Sequence, residues 1–367
     1  MNEEKIFIIA GEDSGDLHGA KLIKEIKKVK PRASFFGVGG SRMKKEGMHL
    51  TEHINQLNVI GFWEVLKSYK KIKKIFNKTL FDIKSINPDK VILIDYPGFN
   101  LRLAKKLSKL KFNITYFILP QVWAWKESRI KTLKNNCDRL IGIIPFEKLW
   151  YQKRGVKIHY AGHPLSELSK KSYEKHIFLK KYNIPKDNRV IALLPGSRKS
   201  EIQKHWPIFQ KTIESLQSEN NRLTFLLIEG ENVKINCGEE IIKITQNQYE
   251  AISCSDVAIV CSGTATLEVA MLKCPMVVCY KTSAMTWFLV QLFSKVKYVS
   301  LVNLIADEKI VEEHLQNNMN VKSLSTAVHS LLTPEAKKQI KEKYAALIKI
   351  LNNNKNVYQE AVKYIYD

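Results

Sequence analysis

Along this chain, short continuous apolar runs alternate with longer stretches in which apolar residues recur every three or four positions. The runs IFIIA, SFFGV, VILID, ITYFIL, RLIGII and IHYAG read as buried strands, and residues 17–29, 63–84, 99–110 and 146–153 read as amphipathic helices. Strands that alternate with helices predict parallel pairing, because parallel neighbours need a crossover that is usually helical. From Pro164 to Asn188 the chain turns polar and lysine-rich, which predicts a linker. A second series, VIALL, LTFLLI, EIIKI, VAIVC and PMVVC, then begins. From Pro334 on, the spacing of Ile340, Tyr344, Leu347 and Leu351 predicts one or two closing helices. The expected organisation is therefore α/β, with two Rossmann-like domains over 1–165 and 166–340 facing across a cleft. Helices over 341–367 are expected to pack back on the first domain or on a partner subunit.

Composition sharpens this picture in one respect. Apolar residues make up 45% of the 367, as in ordinary globular chains, whereas 59 Lys and Arg against 36 Asp and Glu leave a formal charge of +23. Such an excess implies an anionic partner: nucleic acid, an acidic membrane surface or phosphorylated substrates. Lysine used as general surface decoration accounts for roughly half of it. The six cysteines are scattered without a C-x-x-C pair, which predicts buried reduced thiols. The first apolar run has five residues, too short for a signal-peptide core, and Met285–Val302 is interrupted by Gln291, Ser294, Lys295 and Lys297. A cytoplasmic protein without a transmembrane helix is expected.

Two polar motifs sit where an apolar strand should end and a helix begin: GEDSGDLHG (Gly11 to Gly19) and SGTATLE (Ser262 to Glu268). In open α/β sheets ligands bind beyond the carboxyl ends of the strands, where small residues and a helix N-terminus approach an anion. Ser262, Gly263 and Thr264 can supply N–H and hydroxyl donors to a phosphate, and Glu268 can accept from a ribose diol; an N-capped helix start is the plainer alternative. PGSR (Pro195 to Arg198) follows VIALL in the same way, and Arg198 offers a bidentate guanidinium. Asp95 ends the otherwise apolar strand of IDYPGFN. Pro97 and Gly98 force a turn right after it, favouring an aspartate that faces the ligand and can serve as general base. His18 is the next candidate for that role. Glu12, Asp13 and Asp16 could bind Mg²⁺, but glycine and serine among them suit an anion-binding turn with Asp16 capping the helix. Trp123 and Trp125, alternating about Ala124, predict interface packing.

The blocks GEDSGD, GVGGSRM, IDYPGFN, VWAWKESR, PFEK, YAGHP, LLPGSR, SGTATLE and KCPMVVCYK, in this order, resemble the lipid-A-disaccharide synthases. The resemblance implies an inverting glycosyltransferase of the two-Rossmann-domain (GT-B) fold, which moves 2,3-diacylglucosamine from UDP to the 6-hydroxyl of 2,3-diacylglucosamine 1-phosphate (lipid X). It implies a catalytic Asp95 and places Arg198, Glu268 and Asn303 in the nucleotide half, beside the donor contacts expected of Ser262, Gly263 and Thr264. Glu12, Ser14, Gly15 and Asp16 fall to the acceptor. Where the family pattern has Pro-Asn in a loop, this chain has Val302-Asn303, and where it has Pro-Glu in the following helix, Glu312-Glu313. No D-x-D motif follows the second-half strands, so neither metal nor cofactor is expected. Within the fold, a muramyl-peptide N-acetylglucosamine transferase or a UDP-sugar 2-epimerase would use similar nucleotide contacts without accounting for the first-half blocks. A nucleic-acid-binding protein would explain the charge alone, but the lysines lie mostly opposite apolar stripes, so no nucleic-acid partner is expected.

Acyl-chain substrates turn attention to residues 62–80. Phe62, Val65, Leu66, Tyr69, Ile72, Phe76 and Leu80 recur at helical spacing, with Lys67, Lys70, Lys71, Lys74 and Lys78 between them. Phe62, Trp63, Leu66, Tyr69, Lys70, Lys71 and Lys74 are expected to face an anionic inner-membrane surface from its cytoplasmic side; a helix with its apolar face in the core is the alternative. A homodimer is a further expectation.

Overall fold

A computed structural model describes residues 3–57, 62–229, 234–293, 296–352 and 355–367, with side chains throughout except at 62–69, 289, 290 and 293. The chain divides into two compact units, 1–163 with 353–367, and 164–352.

In the first unit the strands are β1 (Lys5–Ala10), β2 (Ser34–Gly39), β3 (His49–His53), β4 (Lys90–Ile94), β5 (Ile114–Phe117), β6 (Arg139–Gly142) and β7 (His159–Tyr160). Between them run α1 (Asp13–Val29), α2 (Ser41–Lys45), α3 (Phe62–Ile86), α4 (Pro97–Ser108), α5 (Arg129–Asn136) and α6 (Glu147–Gln152). Among the described residues these strands form one sheet of order β3-β2-β1-β4-β5-β6-β7, and all neighbours are parallel. The edge strand β3, HLTEH, escapes the apolar-run criterion because all its residues but Leu50 are polar and none is buried. Both faces of the sheet are covered, so β1 and β4 read as uninterrupted apolar runs. Ile72, Ile75, Phe76, Leu80 and Ile83 of α3 pack on one face with Phe7, Leu93 and Phe99. On the other face, Leu22, Ile23 and Ile26 of α1 meet Ile92 and Phe117.

The second unit holds α7 (Lys175–Lys181), β8 (Arg189–Leu194), α8 (Lys199–Glu219), β9 (Leu223–Ile228), β10 (Ile241–Ile244), α9 (Gln248–Cys254), β11 (Val257–Cys261) and α10 (Thr264–Met271). It continues with β12 (Met276–Tyr280), α11 (Ala284–Phe293), α12 (Leu301–Ala306), β13 (Glu312–Leu315), α13 (Val321–Leu332) and α14 (Pro334–Leu351). Its strands are again parallel, in the order β10-β9-β8-β11-β12-β13. The last helix, α15 (Val357–Tyr366), belongs to the first unit, where Val357, Tyr358, Ala361, Val362 and Ile365 are buried beside α1.

Three sequence expectations need correcting. The segment 164–188 is not a free linker: Lys175 of α7 reaches the buried Asp256, 2.7 Å away, and Lys337 of α14 lies 2.8 Å from the same carboxylate. That second contact, with Tyr344 and Leu347 fully buried, keeps α14 whole in the second unit, which therefore runs to Asn352 rather than 340. Glu312-Glu313 lies in strand β13 and not in a helix, and Val302-Asn303 lies in α12 and not in a loop. All six cysteines are free thiols, four buried and two half-buried. No helix among the described residues is long and apolar enough to cross a membrane.

Candidate active site

A doubly wound sheet has one place where successive connections leave in opposite directions, and ligands bind beyond the strand ends there. In the first unit that place lies between β1 and β4, in the second between β8 and β11. Each is flanked by two of the motifs: GEDSGD after β1 and DYPG after β4; PGSR after β8 and SGT after β11.

At the first, the chain leaves β4 through two consecutive left-handed residues, Asp95 (φ +43°) and Tyr96 (φ +47°), before Pro97 opens α4. Such a conformation costs roughly 1 kcal/mol or more per non-glycine residue. Several bonds hold it. The Asp95 carbonyl accepts from Asn100 Nδ2 at 2.8 Å and from the Tyr116 hydroxyl at 2.6 Å, and its N–H donates to Phe117 O at 3.1 Å. The Tyr96 hydroxyl donates to Leu57 O at 3.2 Å. The backbone that carries the Asp95 carboxyl is thus held in place. Burial, reinforced by the nearby Glu12 carboxylate and partly offset by the Tyr96 backbone N–H, pushes its pKa up to about 6, close to the value a general base needs near neutral pH.

The other first-half candidates separate. Glu12 and Ser14 are exposed at the start of α1. Gly15 is buried against Ala10, where a Cβ would come within 3.1 Å, so its role is to let α1 approach the sheet. Asp16 must be corrected: it is fully buried, and its carboxylate accepts from the backbone N–H groups of Gly40 (2.7 Å), Arg42 (3.0 Å) and Met43 (3.1 Å). It caps α2, not α1, and is withdrawn from acceptor binding. His18 Nδ1 lies 2.9 Å from the Tyr358 hydroxyl; burial and the adjacent Lys21 ammonium lower its pKa to about 4, making it a weaker base than Asp95.

Two buried groups were missed. Glu147, at the start of α6, accepts from Trp123 Nε1 (3.1 Å) and Ile144 N (3.2 Å), and burial pushes its pKa up to about 7. His163 is lowered to about 3 by burial and then by His18. PFEK and YAGHP were noticed as blocks, but nothing in their spacing marks an inward carboxyl or imidazole. Trp123 is buried, T-shaped against Phe146 at 5.0 Å, whereas Trp125 is exposed.

At the second unit's switch point, Gly263 N-caps α10 at φ +157°, ψ −162°, a region essentially restricted to glycine, and nothing lies within 4 Å of where a Cβ would stand. Thr264 is exposed at the first helical position. Ser262 is tied to the fold instead: its N–H donates to Cys279 O (2.9 Å) and its hydroxyl to Val299 O (3.2 Å). Arg198 N-caps α8, and its guanidinium sits 3.3 Å from Glu201 with its face to solvent. The Glu268 carboxyl, 3.5 Å from the Tyr249 hydroxyl, has its pKa raised by burial. Asn303 is the second correction. It is fully buried, donating to Val311 O and Glu313 Oε1 (both 2.9 Å) and accepting from Ile310 N and Val311 N (2.8 and 2.9 Å). With both ends of its amide used to fasten α12 to β13, it has nothing to offer a nucleotide. His205, unmarked by the sequence, straps this site: Nδ1 donates to Pro195 O (2.8 Å) and Nε2 accepts from Lys281 N (3.0 Å).

Of the residues expected to face a membrane, Lys70, Lys71 and Lys74 are exposed, while Phe62, Trp63, Leu66 and Tyr69 lie outside the described side chains. Among the described residues no group of three or more His, Cys, Asp or Glu converges as a metal site would require.

Comparison with known proteins identifies the fold and the family. Among solved structures, the glycotransferase of kitacinnamycin superposes with a TM-score of 0.68 at 11% identity, over 100% of this chain and 99% of that one, a likeness of fold. Lipid-A-disaccharide synthase 1 of Legionella pneumophila (strain Paris) is 39% identical over 333 residues, 88% of this chain and 87% of its own. Lipid-A-disaccharide synthase of Syntrophus aciditrophicus is 34% identical over 357 residues, 95% of this chain and 93% of its own. The lipid-A-disaccharide synthetase family pattern matches residues 6–365, nearly the whole of both units, and the chain belongs to that family.

Proposed function

We propose that this lipid-A-disaccharide-forming glycosyltransferase uses Asp95 as its general base and the turns after β8 and β11 as its UDP site. The donor is UDP-2,3-diacylglucosamine and the acceptor is 2,3-diacylglucosamine 1-phosphate. Asp95 takes the proton of the acceptor 6-hydroxyl as that oxygen bonds to C1 of the donor sugar from the face opposite UDP. The C1–O bond to UDP breaks, its electron pair leaves with the diphosphate, and the configuration inverts to β. Arg198, the Gly263 and Thr264 N–H groups at the α10 N-terminus and the helix dipole stabilise the growing charge on the diphosphate. Glu268 is suited to accept from the ribose hydroxyls. The observation that carries this reading is the pairing of motifs at both switch points, with a clamped, left-handed Asp95 at one and a glycine-only turn at the other. The test supplies both substrates without added metal and looks for UDP and disaccharide monophosphate by mass spectrometry; their absence, with and without added Mg²⁺, would overturn it.

The same proposal places the protein on the cytoplasmic face of the inner membrane as a peripheral enzyme. In support, Lys70, Lys71 and Lys74 are exposed along α3, and Met285, Phe288 and Leu292 of α11 are exposed apolar residues at helical spacing.

A further inference from the structure

The segment between β5 and α5 carries positive charge for which the chemistry above has no use. Trp125 is 49% exposed, with Lys126 Nζ 4.6 Å and the Arg129 guanidinium carbon 5.5 Å from its ring centroid. One indole thus has two cations within about 6 Å of its centroid. Glu127, the carboxylate between them in sequence, is engaged by Arg154 Nε at 2.6 Å. Among the described residues, neither Lys126 nor Arg129 has a carboxylate within 4.0 Å. The place matters as much as the charge. Helix α5 packs on α4, which directly follows the Asp95 bend. Beneath them Tyr116, its pKa raised by burial and only slightly offset by the Arg129 charge, donates its hydroxyl to the Asp95 carbonyl at 2.6 Å.

Resting on the glycosyl-transfer reading, we propose that Arg129 and Lys126, walled by Trp125, form the subsite for the acceptor's phosphomonoester. A phosphomonoester carries close to two negative charges at neutral pH and presents three acceptor oxygens. A guanidinium fork matches two of them, and an ammonium supplies the second positive charge without fixed direction. The exposed indole gives the sugar ring an apolar wall beside the charge. This subsite selects the acceptor and leaves proton transfer to Asp95.

Bilayer headgroups offer similar phosphate chemistry, so the test uses neutral detergent micelles. Two acceptors are compared at saturating UDP-sugar: diacylglucosamine 1-phosphate, and the same sugar with an uncharged 1-O-methyl group. Wild type should prefer the phosphorylated acceptor in kcat/KM. Arg129→Ala and Lys126→Ala should each cut that preference on the order of 10- to 100-fold, mainly through KM, the range for a lost charge-assisted contact. Arg129→Lys should cut it less, because the charge stays and the fork is lost. A preference retained in both alanine variants overturns the subsite, as does an equal fall for both acceptors, which would mark a merely structural role. No disaccharide from either acceptor with the wild-type enzyme overturns the glycosyl-transfer reading, and the subsite with it.

Discussion

The two switch points sit on sheets of the same design and are furnished in opposite ways. In the first unit burial drives four ionisable groups toward their neutral forms: Asp95 up to about 6, Glu147 up to about 7, His18 down to about 4 and His163 down to about 3. The second unit's switch point offers an exposed guanidinium, a glycine-only helix start and a threonine facing solvent. Burial removes water from around a reacting proton, whereas an exposed turn keeps N–H donors free for an anion that arrives with its own charge. Under the proposed mechanism one sheet edge serves proton transfer and the other holds the leaving group.

Breaking the proton-transfer side should have the largest effect. Asp95→Asn keeps size and the clamping bonds to the backbone, so turnover should fall roughly 10²- to 10⁴-fold with the thermal melt little changed. Turnover within about threefold of wild type would remove Asp95 from its role. In wild type, kcat/KM should fall about tenfold per pH unit below about 6, because protonation of Asp95 abolishes the base; a profile flat from pH 5 to 8 would contradict this.

The anion side should respond less. Arg198→Ala and Glu268→Ala should each weaken UDP binding by roughly 1.5–3 kcal/mol in calorimetry, with the first-unit pH limb left where it was. Unchanged affinity in both variants would place the nucleotide elsewhere.

A stability measurement sharpens the contrast. The folded protein holds a proton on Glu147 up to about pH 7, whereas the unfolded chain gives it up near pH 4.5, so this group costs stability as pH rises through that window. Glu147→Gln lacks that slope. Relative to wild type, its melting temperature should improve between pH 5 and pH 8, by an amount corresponding to on the order of 3 kcal/mol. A constant difference across that range would show that Glu147 is already ionised in the fold. The smallest expected effect is at the surface: replacing Lys70, Lys71 and Lys74 by Glu should weaken sedimentation with anionic vesicles, and salt should weaken it in wild type. Sedimentation insensitive to both would leave glycosyl transfer untouched.

Backbone-level features were legible in the sequence because they follow from short-range rules. An apolar run stopping at Asp95 before Pro97-Gly98 announces a strand end and a turn, and glycine in SGT announces a tight helix start. Where side chains point after the turn was not legible. Asp16 and Asn303 look like ligand contacts because Asp and Asn at such positions can bind either a ligand or backbone. Tertiary contacts 24 to 27 residues away for Asp16, and within the α12–β13 bend for Asn303, decide for backbone. Glu147 and His163 were hidden for the converse reason, since nothing local distinguishes a carboxyl or imidazole turned inward from one in solvent. The end of the second unit differs from 340 because an apolar stripe such as Tyr344 and Leu347 does not say which unit it covers; in the fold α14 packs against α10, α12 and α13.

The return of the chain to its first unit has a consequence for synthesis. Residues 1–163 precede the second unit on the ribosome, yet the part of their sheet face beside α1 that takes Val357, Tyr358, Ala361, Val362 and Ile365 stays uncovered until those residues are made. At about 5–20 residues per second, the 164–352 segment occupies roughly 10–40 s of translation. Through that interval Ile6, Ile8, Leu22 and Ile26 have no α15 beside them, and His18 lacks the Tyr358 hydroxyl that orients it. The half that begins first is therefore finished last, and its α1 face is completed only when the second half already has every strand it needs.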